Sequence, residues 1–202
     1  MGADELALTM TNPAVGREGS RSEGQEALGR AQRGEHGAFD ELIVRHQGRV
    51  LMTARRLLGS REDAQDAAQE VFLRLYRHLH RVDPKRPLLP LLYRMTVNVS
   101  HDMRRRRHGN STVAVEDLAA ASEALAPGNL SARTEQKQLL AAALETLTPK
   151  ERAALVLRDL EGLSTAEVAN ALRSSETTVR SQISSARVKI RKFLDRYELH
   201  RL

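Results

Sequence analysis

The sequence contains no cysteine and no tryptophan among its 202 residues. Without cysteine, the chain has neither a disulfide framework nor a thiolate metal site. Its seven histidines do not cluster, since His78 and His80 are two positions apart and would point in different directions on a helix. We therefore expect no metal, no cofactor and no catalytic residue, and the chain is interpreted as a non-enzymatic protein.

The sequence also lacks an apolar run long enough to span a bilayer. Its first 24 residues show no basic segment followed by an apolar one, which is the pattern of a secretion signal. These absences predict no membrane insertion and a cytoplasmic location. The leader, residues 1–25, is rich in glycine, serine and charge, and we expect it to be disordered.

The predicted fold is all-α, because strand-like alternation is missing and long stretches contain neither glycine nor proline. Two small helical domains are expected at 26–108 and 133–202. In the first, residues 34–58 predict an amphipathic helix whose apolar side carries Ile43, Val50, Leu51, Ala54, Leu57 and Leu58. Residues 109–132 between the two domains predict a flexible acidic linker, because this segment contains Glu116, Asp117 and Glu123 and neither lysine nor arginine. The net charge of +6 permits a polyanionic partner.

Residues 163–194 have the pattern of a helix-turn-helix. Ser164 and Glu167 predict a capping box, in which each side chain accepts a hydrogen bond from the other residue's backbone N–H, so a short helix should begin there. The second helix carries apolar residues at helical spacing, and its opposite face is small, polar and basic. Such a face approaches bases closely, while flanking arginines reach phosphates or guanine. The alternative is an ordinary solvated helix face.

A second candidate DNA surface lies in residues 82–108. A turn-forming loop at 83–87 precedes a predicted helix over 91–107. One face of this helix aligns four polar residues at intervals of four, three and four, namely Arg94, Asn98, His101 and Arg105. An asparagine between an arginine and a histidine fits a reader of bases and phosphates, whereas the arginine run at 104–107 alone would form only an electrostatic patch.

The predicted helix that starts after Ser60 has an apolar stripe at three- and four-residue spacing, and its opposite face begins acidic. Paired carboxylates such as Asp63 and Asp66 are compatible with acid–base catalysis, but the helix dipole also favours acidic residues in a first turn. A solvated face and a protein-docking face are the other two interpretations.

Together these helices resemble the extracytoplasmic-function sigma factors of bacterial RNA polymerase, from Ala38 to about Phe193. The matching strings are 38–42 (AFDEL), 63–73 (DAQDAAQEVFL), 92–95 (LYRM) leading to Asn98, 144–152 (LETLTPKER) and 162–164 (GLS). Some positions depart from the family pattern. Leu91 stands where the family often has tryptophan, Arg173 where the turn commonly has glycine, and Gln182 and Ser185 at commonly basic positions.

The resemblance implies a sigma factor that binds core RNA polymerase and directs promoter-specific initiation through minus-10 and minus-35 recognition. The implied core-binding residues are Asp63, Asp66, Gln69, Glu70, Phe72 and Leu73. The implied minus-10 contacts are Lys85, Arg86, Arg94, Asn98, His101, Arg104 and Arg105. The implied minus-35 contacts are Ser175, Thr177, Thr178, Arg180, Ser181, Ser184 and Arg187. The implied partners are core polymerase, through its beta-prime clamp helices and beta flap, promoter DNA and an anti-sigma factor.

Two other functions stay open on the residues alone. One is a stand-alone helix-turn-helix regulator whose first domain dimerises or senses a signal. The other is a helical adaptor whose basic faces bind acidic proteins. The acidic face at 63–70 favours the sigma factor, because a polymerase subunit needs a protein-docking surface as well as DNA surfaces.

Overall fold

The structure, a computed structural model, describes residues 19–108 and 132–199. Most of the predicted leader and linker, and the last three residues, lie outside these ranges. The described residues contain α-helices, a 3₁₀ turn and a π-helical turn, and no strand, which confirms the all-α prediction. The helices are α1 (Gly19–Gln32), α2 (Ala38–Leu58), α3 (Arg61–Arg77), α4 (Leu88–His108), α5 (Ala132–Glu145), α6 (Pro149–Leu155), α7 (Thr165–Leu172) and α8 (Glu176–Leu199).

Helices α1 to α4 form the first domain, and glycines and caps set their limits. Helix α2 ends at Gly59, whose positive φ of 80° suits a residue without a Cβ, and whose N–H donates to the Arg55 carbonyl. Ser60 then caps α3, because its hydroxyl accepts the Asp63 N–H at 3.2 Å. The buried apolar core includes Leu28, Leu42, Val50, Ala54, Val71, Leu75, Leu92 and Val99.

Three sequence predictions for this domain are wrong in detail. The helix expected over 34–58 starts only at Ala38, because Gly34 and Gly37 both have a φ of 78° and separate α1 from α2. Residues 19–25, assigned to a disordered leader, belong to α1, whose Gln32 side chain donates to the carbonyls of the 3₁₀ turn region. Leu51 was expected on the apolar face of α2, but it is exposed.

Helices α5 to α8 form the second domain, which contains the predicted helix-turn-helix in α7 and α8. The capping box predicted between Ser164 and Glu167 is present at the start of α7, and a second one joins Thr148 and Glu151 at the start of α6. Arg173 adopts the left-handed conformation, with φ 50°, so it ends α7 as glycine commonly does.

The two domains pack against each other through apolar and polar contacts. Leu57 of α2 and Tyr93 of α4 belong to the same buried cluster as second-domain residues such as Leu157 and Val168. Between α6 and α7, the π-helical turn Val156–Leu160 lies against α2. Among the described residues, no helix has the length and apolar character required to cross a membrane.

Candidate nucleic-acid interface

Helix α8 presents the small polar face that the sequence predicts. Its apolar side, with Val179, Ile183 and Ala186, is buried against the rest of the domain. The seven predicted minus-35 residues are all exposed: Ser175, Thr177, Thr178, Arg180, Ser181, Ser184 and Arg187. Ser175 also accepts the Thr178 N–H at 3.1 Å, so it acts as the N-terminal cap of the helix. The face is therefore open to a ligand along its length.

The arginines on this face are held by carboxylates of the same domain. Arg180 pairs with Glu176 one turn earlier, at 2.7 Å. Arg187 donates to Asp159 of the π-helical turn, and this carboxylate raises the pKa of Arg187. Both guanidiniums are mostly exposed, so phosphate or guanine can replace these partners at small energetic cost.

Helix α4 presents part of the second candidate DNA surface. Asn98, His101 and Arg105 are exposed on one face, and Arg94 is half-buried beside them. Lys85 and Arg86 are exposed in the preceding loop, where Asp83 accepts the Lys85 N–H and lies 3.4 Å from the Arg86 guanidinium. The structure brings these six residues to the surface of the first domain.

Arg104 departs from the other predicted minus-10 residues. Its guanidinium turns towards the domain contact and donates to the Leu57 carbonyl at 3.2 Å. Burial lowers the pKa of Arg104, and the Glu145 carboxylate opposes that shift. In this arrangement Arg104 contributes to domain packing and is not aligned with the exposed stripe.

Helix α3 exposes only some of the predicted core-binding residues. Asp66, Gln69 and Leu73 are exposed, whereas Phe72 is buried in the first-domain core. Asp63 forms an ion pair with Arg107 of α4. Glu70 accepts a hydrogen bond from Arg74 at 2.7 Å, which lowers the pKa of Glu70. Asp66 is thus the most accessible of the three carboxylates.

Several apolar residues of the first domain are exposed, and the sequence pattern did not predict their exposure. On α2, Val44 is 69% exposed, and Leu51 and Met52 also reach solvent. On α3, Tyr76 is 62% exposed and packs edge-on against Phe39, with ring centroids 5.0 Å apart. Val44 and Leu51 are seven positions apart, so a helical wheel that allowed for two apolar faces on α2 would have found them.

One edge of each candidate DNA face borders a cleft of about 570 Å³ between the domains. Asn98 and His101 of α4 line one side. Arg173, Thr178 and Gln182 of the helix-turn-helix line the other. A helix-turn-helix with a polar and basic second helix, joined to a helical domain with its own basic stripe, defines a DNA-binding protein of the transcription machinery.

Comparison with known proteins identifies the family. Residues 42–119 match the family model Sigma-70 region 2, and residues 137–190 match Sigma-70, region 4. The RNA polymerase sigma-H factor of Pseudomonas aeruginosa is 32% identical over 87% of this chain and 95% of its own length. The ECF RNA polymerase sigma-E factor of Escherichia coli K12 is 33% identical over 82% of this chain and 91% of its own length.

Solved structures show the same architecture. CnrH, in complex with the cytosolic domain of CnrY, superposes with a TM-score of 0.64 and is 28% identical, over 86% of this chain and 97% of that chain. The sigma factor RpoE of Bartonella quintana, in complex with the anti-sigma factor NepR, has a TM-score of 0.60 over 79% of this chain and 98% of its own, and at 18% identity it supports the fold alone.

The chain belongs to the extracytoplasmic-function sigma factor family of bacterial RNA polymerase. As a sigma factor it binds core RNA polymerase and directs promoter-specific initiation of transcription.

Proposed function

We propose a division of labour between the two domains of this sigma factor. In the first domain, residues 26–108, α3 docks on the beta-prime clamp helices, and the loop before α4 together with the α4 stripe reads and opens the minus-10 element. In the second domain, residues 133–202, α8 reads the minus-35 element and the domain docks on the beta flap. Residues 109–132 connect the two domains.

The observation that carries this assignment is the face of α8. Short polar side chains occupy its centre, where Thr177, Ser181 and Ser184 are exposed, and Arg180 and Arg187 flank them. This arrangement suits the major groove, because the small residues permit close approach to base edges and the arginines extend to guanine or phosphate.

The docking assignment is supported by the chemistry of α3. Asp66 and Gln69 offer exposed polar groups, and Leu73 adds exposed apolar surface on the same helix. A surface of this kind, with charge around an apolar contact, is typical of protein interfaces. Tyr76 lies three residues beyond Leu73, and we include it in the docking surface.

We further propose that the protein acts in the cytoplasm without enzymatic activity of its own, since the polymerase carries out the chemistry. An anti-sigma factor is the proposed regulatory partner. Its support is the likeness to CnrH, which was solved with the cytosolic domain of CnrY.

The experiment is transcription from fragmented genomic DNA with core polymerase and the full chain, followed by sequencing of transcript 5′ ends. We expect the start sites to share two upstream sequence blocks. Asn98→Ala should change base preference only in the minus-10 block, and Arg180→Ala or Arg187→Ala only in the minus-35 block.

Lys137→Ala is the matched control, because it removes one exposed positive charge from α5, a helix that carries none of the predicted DNA contacts. Start sites without shared upstream blocks, or base preferences unchanged in all three test variants, would contradict the assignment.

A further inference from the structure

Glu161 of the second domain is inserted into the first domain. Its carboxylate is only 5% exposed and accepts hydrogen bonds from the Arg56 guanidinium at 2.7 Å and the Tyr93 hydroxyl at 2.8 Å. It also lies 2.8 Å from the Thr53 hydroxyl, whose single proton is shared with the Arg49 carbonyl at 2.8 Å. These three partners lie on α2 or α4, so this one carboxylate joins both helices to the second domain. Hydrogen bonds to a charged, shielded acceptor are the stronger ones.

The π-helical turn places Glu161 at this position. The Glu161 N–H donates to the Val156 carbonyl, five residues earlier, at 2.9 Å. A regular α-helix would bond to the residue four positions earlier, so the turn holds one extra residue. Gly162, with φ 74°, ends the turn directly after Glu161 and redirects the chain towards α7. Local backbone geometry is thus arranged around the contact.

This packing brings one edge of the proposed minus-10 face and one edge of the proposed minus-35 face to the same cleft. Asn98 and His101 share the cleft with Thr178 and Arg173, and its volume of about 570 Å³ suits a few side chains and no duplex. The two promoter elements, about 25 base pairs apart at 3.4 Å per base pair, are separated by about 85 Å on a straight duplex. The two faces cannot contact both elements while their edges meet at this cleft.

The closed interface also contains an unfavourable group. Arg152 is 2% exposed and donates to the Leu57 carbonyl at 3.0 Å, but its Nε and Nη2 find no hydrogen-bond partner among the described residues. Arg104 donates to the same carbonyl. Burial, and then the charge of Arg104, lower the pKa of Arg152 to about 10. A buried guanidinium with unpaired donors lowers the stability of the closed arrangement and so favours its reversal.

We propose that the structure is a self-inhibited resting state, in which the insertion of Glu161 between Thr53, Arg56 and Tyr93 holds the domains closed and keeps the two DNA faces too close together to contact both promoter elements until the contact opens. The claim about DNA faces rests on the proposed function, whereas the claim about the contact rests on geometry alone. We name Glu161 and these three partners the interdomain latch.

The latch is tested by single-molecule energy transfer on the full chain, without DNA. Because the chain has no cysteine, Gln47→Cys and Lys192→Cys introduce one exposed labelling site in each domain. The unsubstituted latch should give mostly the high-transfer population. Glu161→Gln, which keeps the side-chain volume, and Tyr93→Phe should each increase the low-transfer population about tenfold, as expected for loss of a hydrogen bond to a charge.

Glu198→Gln is the matched control, since it neutralises an exposed carboxylate at the end of α8. Circular dichroism verifies that each variant retains its helices. The latch is overturned if both latch variants keep the population of the unsubstituted chain, or if that chain already shows mostly low transfer.

Inhibition is tested by binding to a random-sequence duplex at several salt concentrations. The opened Glu161→Gln variant should bind more tightly, with a steeper salt dependence because more phosphates are contacted. Opening without any gain in DNA binding, while Arg187→Ala still weakens the opened variant, would overturn self-inhibition. By contrast, failure of Arg187→Ala and Asn98→Ala to affect DNA binding by the opened variant would overturn the proposed DNA faces.

Discussion

Arg187 donates two hydrogen bonds to Asp159, through Nε at 3.0 Å and through Nη2 at 2.9 Å. The contact joins the proposed recognition helix α8 to the π-helical turn of the same domain. It fixes the direction of the guanidinium while DNA is absent. The carboxylate therefore competes with DNA for the arginine.

The first prediction follows from this competition. Asp159→Asn should release Arg187 and strengthen binding to random-sequence duplex several-fold, since one more cation is available for phosphate. The slope of log affinity against log salt should become steeper by about 0.9, as expected for one added phosphate contact. A filter-binding titration between low and moderate salt measures both quantities.

The double variant Asp159→Asn with Arg187→Ala is the control for this prediction. If the added affinity comes from Arg187, the double variant should lose it. Equal affinity of the single and double variants would show that Asp159 acts through general charge repulsion of DNA.

The second prediction concerns polymerase docking. Asp66→Lys and Leu73→Ala should each weaken binding to core polymerase, because both side chains are exposed on α3 and free to meet a partner. Glu62→Lys is the matched control for charge on the same helix. Stability should hardly change in any of them, since exposed side chains contribute little to folding. Wild-type affinity in both test variants, measured by fluorescence anisotropy, would remove the docking assignment.

The third prediction separates base reading from core packing on α4. Asn98→Ala should leave closed-complex binding intact and reduce strand opening, measured as permanganate reactivity of minus-10 thymines. A pre-melted bubble should restore reactivity largely if Asn98 drives melting, and only partly if it reads an exposed base.

Val99→Ala is the control for folding, because Val99 is buried in the first-domain core. This substitution should lower the free energy of unfolding by about 2 kcal/mol through lost packing. Unchanged reactivity and unchanged base preference in Asn98→Ala would leave the α4 stripe as a solvated surface.

The fourth prediction is a pH dependence. Burial, and then the charges of Arg45 and Arg49, lower the pKa of His46 to about 4. An unfolded chain takes up that proton near pH 6.5, so the unfolded state binds more protons than the folded state between pH 6.5 and 4. The free energy of unfolding should therefore fall on acidification through this window, by up to about 1.4 kcal/mol per pH unit.

Urea unfolding of His46→Gln at several pH values measures this contribution. The variant should show a shallower acid dependence than the unsubstituted chain, whereas His36→Gln, at an exposed position, should not differ from it. Parallel pH profiles for His46→Gln and the unsubstituted chain would contradict the proposed neutral state of His46.

The helices and caps of this protein could be predicted because their signals are local. Ser164 and Glu167 are three residues apart, and the spacing of the apolar residues on α3 identified its buried face. The start of α2 was missed, because a positive φ at Gly34 and Gly37 has no unique signature in a single sequence.

The latch could not be predicted from the sequence. Arg56 and Glu161 are 105 positions apart, and neither residue is distinguished by its neighbours along the chain. Their pairing depends on how two domains pack. The family resemblance likewise implies a DNA role for Arg104, whereas its hydrogen bond to the Leu57 carbonyl joins two helices of the first domain and becomes visible only in the folded chain.

Because the π-helical turn holds one extra residue, the contact of Glu161 with the first domain depends on the number of residues in that turn. One residue corresponds to about 100° of rotation around a helix axis. Deleting a single codon within 156–160 would convert the turn to regular α-helix and carry Glu161 away from Tyr93. The capping box of α7 begins beyond Gly162, so the helix-turn-helix retains its own start signal. Loss of one residue would thus break the contact between the domains and leave the helix-turn-helix intact.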